Sequence, residues 1–61
     1  MNATLTEYES LSIRTINTLR DVGIVTAADV RRERGKIAAM EIRNLGRAAL
    51  AELREAGLIE A

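Results

Sequence analysis

Glycine sets the first limit on what this chain can become. Gly23, Gly35, Gly46 and Gly57 cut 61 residues into short segments, and within them the apolar residues recur at helical spacing. No stretch alternates apolar and polar residues as a half-buried strand does. Helices this short are marginal alone in water and must bury one face against each other. The pattern therefore predicts an all-α fold: a compact bundle of four short helices preceded by an N-terminal turn.

The segments follow in order. Ser12 is a good N-cap for a helix over 13–22, with Gly23 as its left-handed stop. Ile16 and Leu19 centre its apolar face, Ile13 and Val22 lie at the margins, and Arg14, Asn17 and Thr18 share the opposite side. Ile24 and Val25 are expected as buried connectors. Thr26-Ala27-Ala28-Asp29 resembles a capping box and opens a helix over 27–33, whose tail Arg31-Arg32-Glu33-Arg34 is expected to be a solvated end complementing the dipole. Gly35 should break it. A third helix over 36–41 then turns Ile37 and Met40 inward. The last helix, over 46–56, buries Leu50 and Leu53 with Ala49 and Ala56 beside them, and leaves Arg47, Ala48, Ala51 and Glu55 outside. Gly57 closes it and lets Leu58 or Ile59 fold back. Residues 1–10 read as an arm whose Leu5 and Tyr8 form one short turn against the body, with the first residues frayed; residues 11–61 form a single domain.

Composition narrows the function. The chain has no cysteine and no histidine, which excludes disulfides, thiolate metal sites and histidine catalysis. An enzyme would need paired carboxylates in a cleft, which so short a chain can hardly enclose. Neither a catalytic residue, a metal ligand nor a cofactor is expected. No apolar run approaches a membrane span and the N-terminus lacks a signal-peptide core, so a cytoplasmic protein with no membrane partner is expected. Nine cations balance nine acids, which argues against strong nonspecific nucleic-acid binding. Eight of the nine cations are arginine, however, the type suited to phosphate and groove contacts. Tyr8 is the only aromatic ring, so base stacking on single strands is disfavoured and duplex is the better target.

The helix starts differ in a way that matters. Helix N-termini carry unpaired N–H groups and partial positive charge, normally answered by Asp or Glu. The Thr26 helix has Asp29 there. The helices beginning near Ser12 and Gly46 carry Arg14 and Arg47 instead, with no acid in the last helix until Glu52. Two open, arginine-bearing starts suit a clamp on the phosphate backbone. The plain alternative is that Asn44 only caps a turn and the polar face of the first helix is merely solvated.

Two stretches also resemble a known family. Leu11-Ser12-Ile13-Arg14-Thr15-Ile16-Asn17-Thr18-Leu19 followed by Gly23-Ile24, and Ile42-Arg43-Asn44-Leu45-Gly46-Arg47 with Leu50 and Glu52, resemble the two hallmark motifs of the C-terminal domain of the bacterial RNA polymerase alpha subunit. They occur in the family's order and at nearly its separation, with about one extra residue near Gly35, and the resemblance covers residues 11–57. It implies a helix–hairpin–helix-like (SAM-like) four-helix domain, preceded by an extended or irregular helical segment, that binds the minor groove of A/T-rich promoter DNA and touches sigma factor and activators. On the matching positions it makes Arg14 the groove-inserting arginine and Asn17 its partner. Thr18 takes a small polar position, Asn44 the turn asparagine, and Gly46 the glycine whose backbone approaches phosphate. Arg47 becomes the basic residue after that glycine, Ala49 a phosphate-facing position and Glu52 a supporting acid. A narrow, electronegative A/T minor groove favours a single inserted arginine over a helix face.

The departures are specific. Ala48 and Ala49 stand where the family commonly has a lysine and a serine, a loss of ~1–3 kcal/mol of phosphate contact. Glu7 and Glu9 lie near the family's sigma-contacting acids but off their register. The resemblance thus implies weak, salt-dependent binding to double-stranded DNA, with RNA polymerase, sigma factor or a transcription regulator as protein partner. The chain is expected to be either an excised domain or a free-standing relative. The alternative function is a protein-interaction module of the same fold that binds the transcription machinery and has lost most DNA affinity, favoured by Ala48, Ala49 and zero net charge.

Overall fold

Leu5, Leu19, Val30, Ile37 and Leu53 are almost wholly removed from solvent, and each comes from a different segment of the chain. The structure is a computed structural model and describes residues 3–59. Its elements are a 3-10 turn at Leu5–Glu7, then α1 (Ile13–Arg20), α2 (Ala27–Arg32), α3 (Arg34–Ala38) and α4 (Arg47–Glu55). The fold is an all-α bundle, and the five side chains meet at its centre with Leu11, Ile24, Ala27, Leu45, Ala49, Leu50 and Leu58 around them. Burying each large side chain contributes about 1.5–3 kcal/mol. That is how four helices of so few residues hold one another in place.

The N-terminal segment is built into this core. Leu5 is 1% exposed, and Tyr8 packs at the edge. The Leu5 N–H donates to the Val25 carbonyl (3.0 Å) and the Ala27 N–H to the Ala3 carbonyl (2.8 Å). This pairing is the isolated antiparallel bridge between Thr4 and Thr26; no strand occurs among the described residues. The expected fraying of the first residues falls, for Met1 and Asn2, outside the described residues.

Helix ends follow local chemistry closely. Gly23 (φ +83°) and Gly57 (φ +75°) take the left-handed conformation. At each, two hydrogen bonds close the helix: Gly23 N–H to Arg20 and Ile24 N–H to Leu19, then Gly57 N–H to Arg54 and Leu58 N–H to Leu53. The fold-back buries Ile24 and Leu58. The α helix before Gly23 ends at Arg20, shorter than the expected 13–22, because this closure begins a turn before the glycine.

The expectation for Gly35 is corrected. It lies inside α3, which runs over Arg34–Ala38 rather than 36–41, and Glu33 alone separates it from α2. The Ala39 N–H bonds to the Gly35 carbonyl as in any helix, and Gly35 has no positive φ. The reversal comes at Met40 (φ +61°), where Met40 N–H donates to Ile37 and Glu41 N–H to Lys36. Met40 is therefore exposed at a helix stop, not buried beside Ile37. The reason is that Val30 and Ile37 can both reach the core only if the chain stays helical through Gly35 and turns afterwards.

The inward face of α1 is also corrected. Thr15 and Leu19 are its buried residues, Ile16 is half-buried, and Ile13 (77% exposed) and Val22 lie outside. Val25, expected inside, is exposed too. Thr15 and Leu19 are four residues apart on one face of the helix, so the orientation that buries Leu19 completely buries Thr15 as well.

Candidate nucleic-acid interface

The starts of α1 and α4 lie side by side and enclose an open cleft of about 590 Å³. Of the residues singled out in the sequence, Arg14, Thr18, Asn44, Gly46, Ala49 and Glu52 all line it, together with Ser12, Thr15 and Ala48. Asn17 and Arg47 do not. Asn17 is exposed on α1 and Arg47 is exposed as the first residue of α4, both outside the cleft walls.

The turn before α4 is built by Asn44. Its φ of +65° is one that asparagine tolerates better than most residues, and it lets the Leu45 N–H donate to the Ile42 carbonyl (3.2 Å). Leu45 is thereby buried and Gly46 is left extended at the head of α4. Gly46 has no side chain to cap the helix, no other side chain does so, and the first turn contains no acid. Asn44 is thus a turn former and not a cap. The first-turn N–H groups of any helix lack carbonyl partners within it, and here their positive end opens toward the cleft beside Arg14.

The start of α1 is different, and here the expectation of a second open N-terminus is corrected. The Ser12 hydroxyl accepts from the Thr15 N–H (3.2 Å), and the Glu52 carboxylate accepts from the Ser12 N–H (2.7 Å). The acid missing from the first turn of α1 is supplied by α4, forty residues along the chain. The Ser12 hydroxyl also bonds Thr15 Oγ1 (3.1 Å). The Ser12 N–H is the main cause that holds the Glu52 pKa below its ordinary value; partial burial opposes it, and the Thr15 and Ser12 hydroxyls add to the lowering. Glu52 therefore links α4 to the start of α1 at the edge of the cleft. Thr15 is the residue sequence reasoning missed; a hydroxyl three positions after the Ser12 cap was the signal available.

Thr18 also has a role that limits it. Its hydroxyl donates to the Arg14 carbonyl (2.9 Å), so the proton is already used and the side chain shapes the cleft wall.

Charge is distributed unevenly around the molecule. The ion pairs of the described residues join Arg32 to Asp29 (2.9 Å) and Glu33 (3.5 Å), and Lys36 to Glu33 (3.7 Å), all on α2 and α3 or the residue between them. Among the described residues Arg14, Arg43 and Arg47 form no ion pair, and neither do Arg20, Arg31, Arg34 and Arg54. The only acid lining the cleft, Glu52, is committed to Ser12.

Among the described residues no group of His, Cys, Asp and Glu could hold a metal ion, and no helix is long and apolar enough to cross a membrane. Compared with protein-family models, with curated proteins and with solved structures, the chain matches none.

Proposed function

We propose that this chain is a duplex-DNA-binding module of the kind found at the C-terminal end of the bacterial RNA polymerase alpha subunit, acting in transcription or its regulation. The observation that carries the reading is the cleft itself, where one uncapped helix start and an unpaired Arg14 face the same open space. In this reading the first-turn N–H groups of α4 bind a backbone phosphate. Arg14 enters the adjacent minor groove, where A/T pairs narrow it and deepen its negative potential. Glu52 makes no contact with DNA and keeps the two helix starts in register. Asn17 and Arg47 reach the flanking backbone from outside the cleft. Ala48 and Ala49 make the grip weak and dependent on salt.

Titration of the labelled protein with an A/T-rich duplex at low salt tests this. The amides of residues 12–18 and 44–49 shift together, and Arg14→Ala weakens binding about tenfold, within the ~1–3 kcal/mol of a groove-reading arginine. Shifts confined to other residues, or none, overturn it.

A second reading rests on Ala48 and Ala49, which give the cleft an apolar floor where phosphate contacts are expected. A module that has given up DNA for a protein of the transcription machinery would bind that partner with Arg14→Ala leaving duplex affinity unchanged.

A further inference from the structure

The cleft does not stop at Asn44. A second hollow of about 380 Å³, lined by Thr18, Asp21, Val22, Arg43 and Asn44, shares Thr18 and Asn44 with the first, so the two adjoin at those residues between α1 and the turn before α4. Arg43 stands in this extension. It is exposed and forms no ion pair among the described residues, even though Asp21 lines the same hollow. Its place follows from the turn: Asn44 at φ +65° and the Leu45-to-Ile42 hydrogen bond bury Leu45 and leave Arg43 at the outside of the bend.

We infer that Arg43 is a further phosphate-binding residue, that it extends the contact beyond the α4 start, and that Asp21 opposes it as the residue that limits affinity and ends the contact. The inference rests on the duplex-binding reading above. A phosphate held by the α4 start lies in the first hollow, and the neighbouring stretch of backbone runs past Thr18 and Asn44 into the second. A free guanidinium there meets phosphate oxygens in the geometry it is suited to. The Asp21 carboxylate in the same hollow repels the same phosphate. Arg43 thus replaces part of what Ala48 and Ala49 do not supply.

The test measures duplex affinity over a range of salt for the unaltered protein, Arg43→Ala, Arg43→Lys, Asp21→Asn and Arg31→Ala. Arg31 is an exposed arginine on α2 with no ion pair among the described residues and controls for loss of one charge. Arg43→Ala lowers affinity about threefold to tenfold for all sequences alike and reduces the salt slope by about 1, as loss of one phosphate contact does. Arg43→Lys keeps the slope, and Asp21→Asn raises affinity about twofold to threefold. If Arg43→Ala behaves like Arg31→Ala while the unaltered protein binds, the inference fails and the duplex-binding reading stands. If the unaltered protein does not bind duplex at low salt, both fail.

Discussion

At the start of α2, Thr26 accepts from the Asp29 N–H (3.2 Å) and the Asp29 carboxylate takes the N–H groups of Thr26 (3.1 Å) and Val25 (3.0 Å). At the start of α4, Gly46 offers no side chain and nothing else caps the helix. The two Val25 and Thr26 N–H groups are the largest causes that hold the Asp29 pKa below its ordinary value. The same extended N-cap backbone thus begins a helix capped by an acid in one place and an uncapped one in the other. Between them stands α1, whose start looks open in sequence and is closed in space by Glu52. A helix start is available to a ligand only when neither its own first turn nor a neighbouring helix supplies the acid.

The sharpest way to break the contrast is to give α4 what α2 has. Gly46 is extended, and a side chain there meets nothing within 4 Å, so Gly46→Asp is accommodated. The new carboxylate caps α4 and meets the phosphate's place with like charge. Duplex affinity falls about thirtyfold, equivalent to ~2 kcal/mol, while thermal stability stays level or rises by a few tenths of a kcal/mol. Loss of both affinity and stability contradicts the assignment. The converse change, Thr26→Ala, removes a cap from α2. It costs ~1–2 kcal/mol in urea unfolding and leaves duplex affinity unaltered.

Glu52 sharpens the third case. Its pKa in the fold is lowered, so its contribution is full above the ordinary carboxylate range and is lost as pH falls through the folded value. Thermal midpoints should therefore decline on acidification below about pH 4.5, the ordinary value of this group. Glu52→Gln costs ~1 kcal/mol near neutral pH by weakening the bond to Ser12, and makes that acid decline shallower. In the same variant the Ser12 and Thr15 amide resonances move without any DNA present. An unchanged acid profile would remove Glu52 from its linking role.

The smallest effects probe the α3 reversal. Gly35→Ala gains ~0.5–1 kcal/mol because the residue is helical and a Cβ meets nothing within 4 Å. Met40→Gly gains a similar ~0.5–1 kcal/mol by relieving the positive φ. Stabilisation from placing alanine at Gly35 is incompatible with a glycine break there.

Several features were readable directly from residue order because their causes lie within a few positions. The Thr26 and Asp29 cap, the left-handed stops at Gly23 and Gly57, the fold-back of Leu58 and the all-α class all belong here. Most of the residues that line the cleft were also named from sequence, since two of the motifs happen to begin the two helices that meet. Gly35 misled because glycine permits a break without requiring one.

What only the tertiary structure decided is which surfaces face each other. Ile13 and Val22 are apolar yet exposed, while polar Thr15 is buried, because the orientation of α1 follows the packing of Leu19 into a core built from distant segments. The bond from Ser12 to Glu52 spans forty residues, and no local pattern encodes such a pairing. It closed one helix start that the sequence left open, while the other stays uncapped because Gly46 has no side chain. Local hydrogen-bonding chemistry determined where the helices begin and end; packing between distant segments determined which of those ends a ligand can reach.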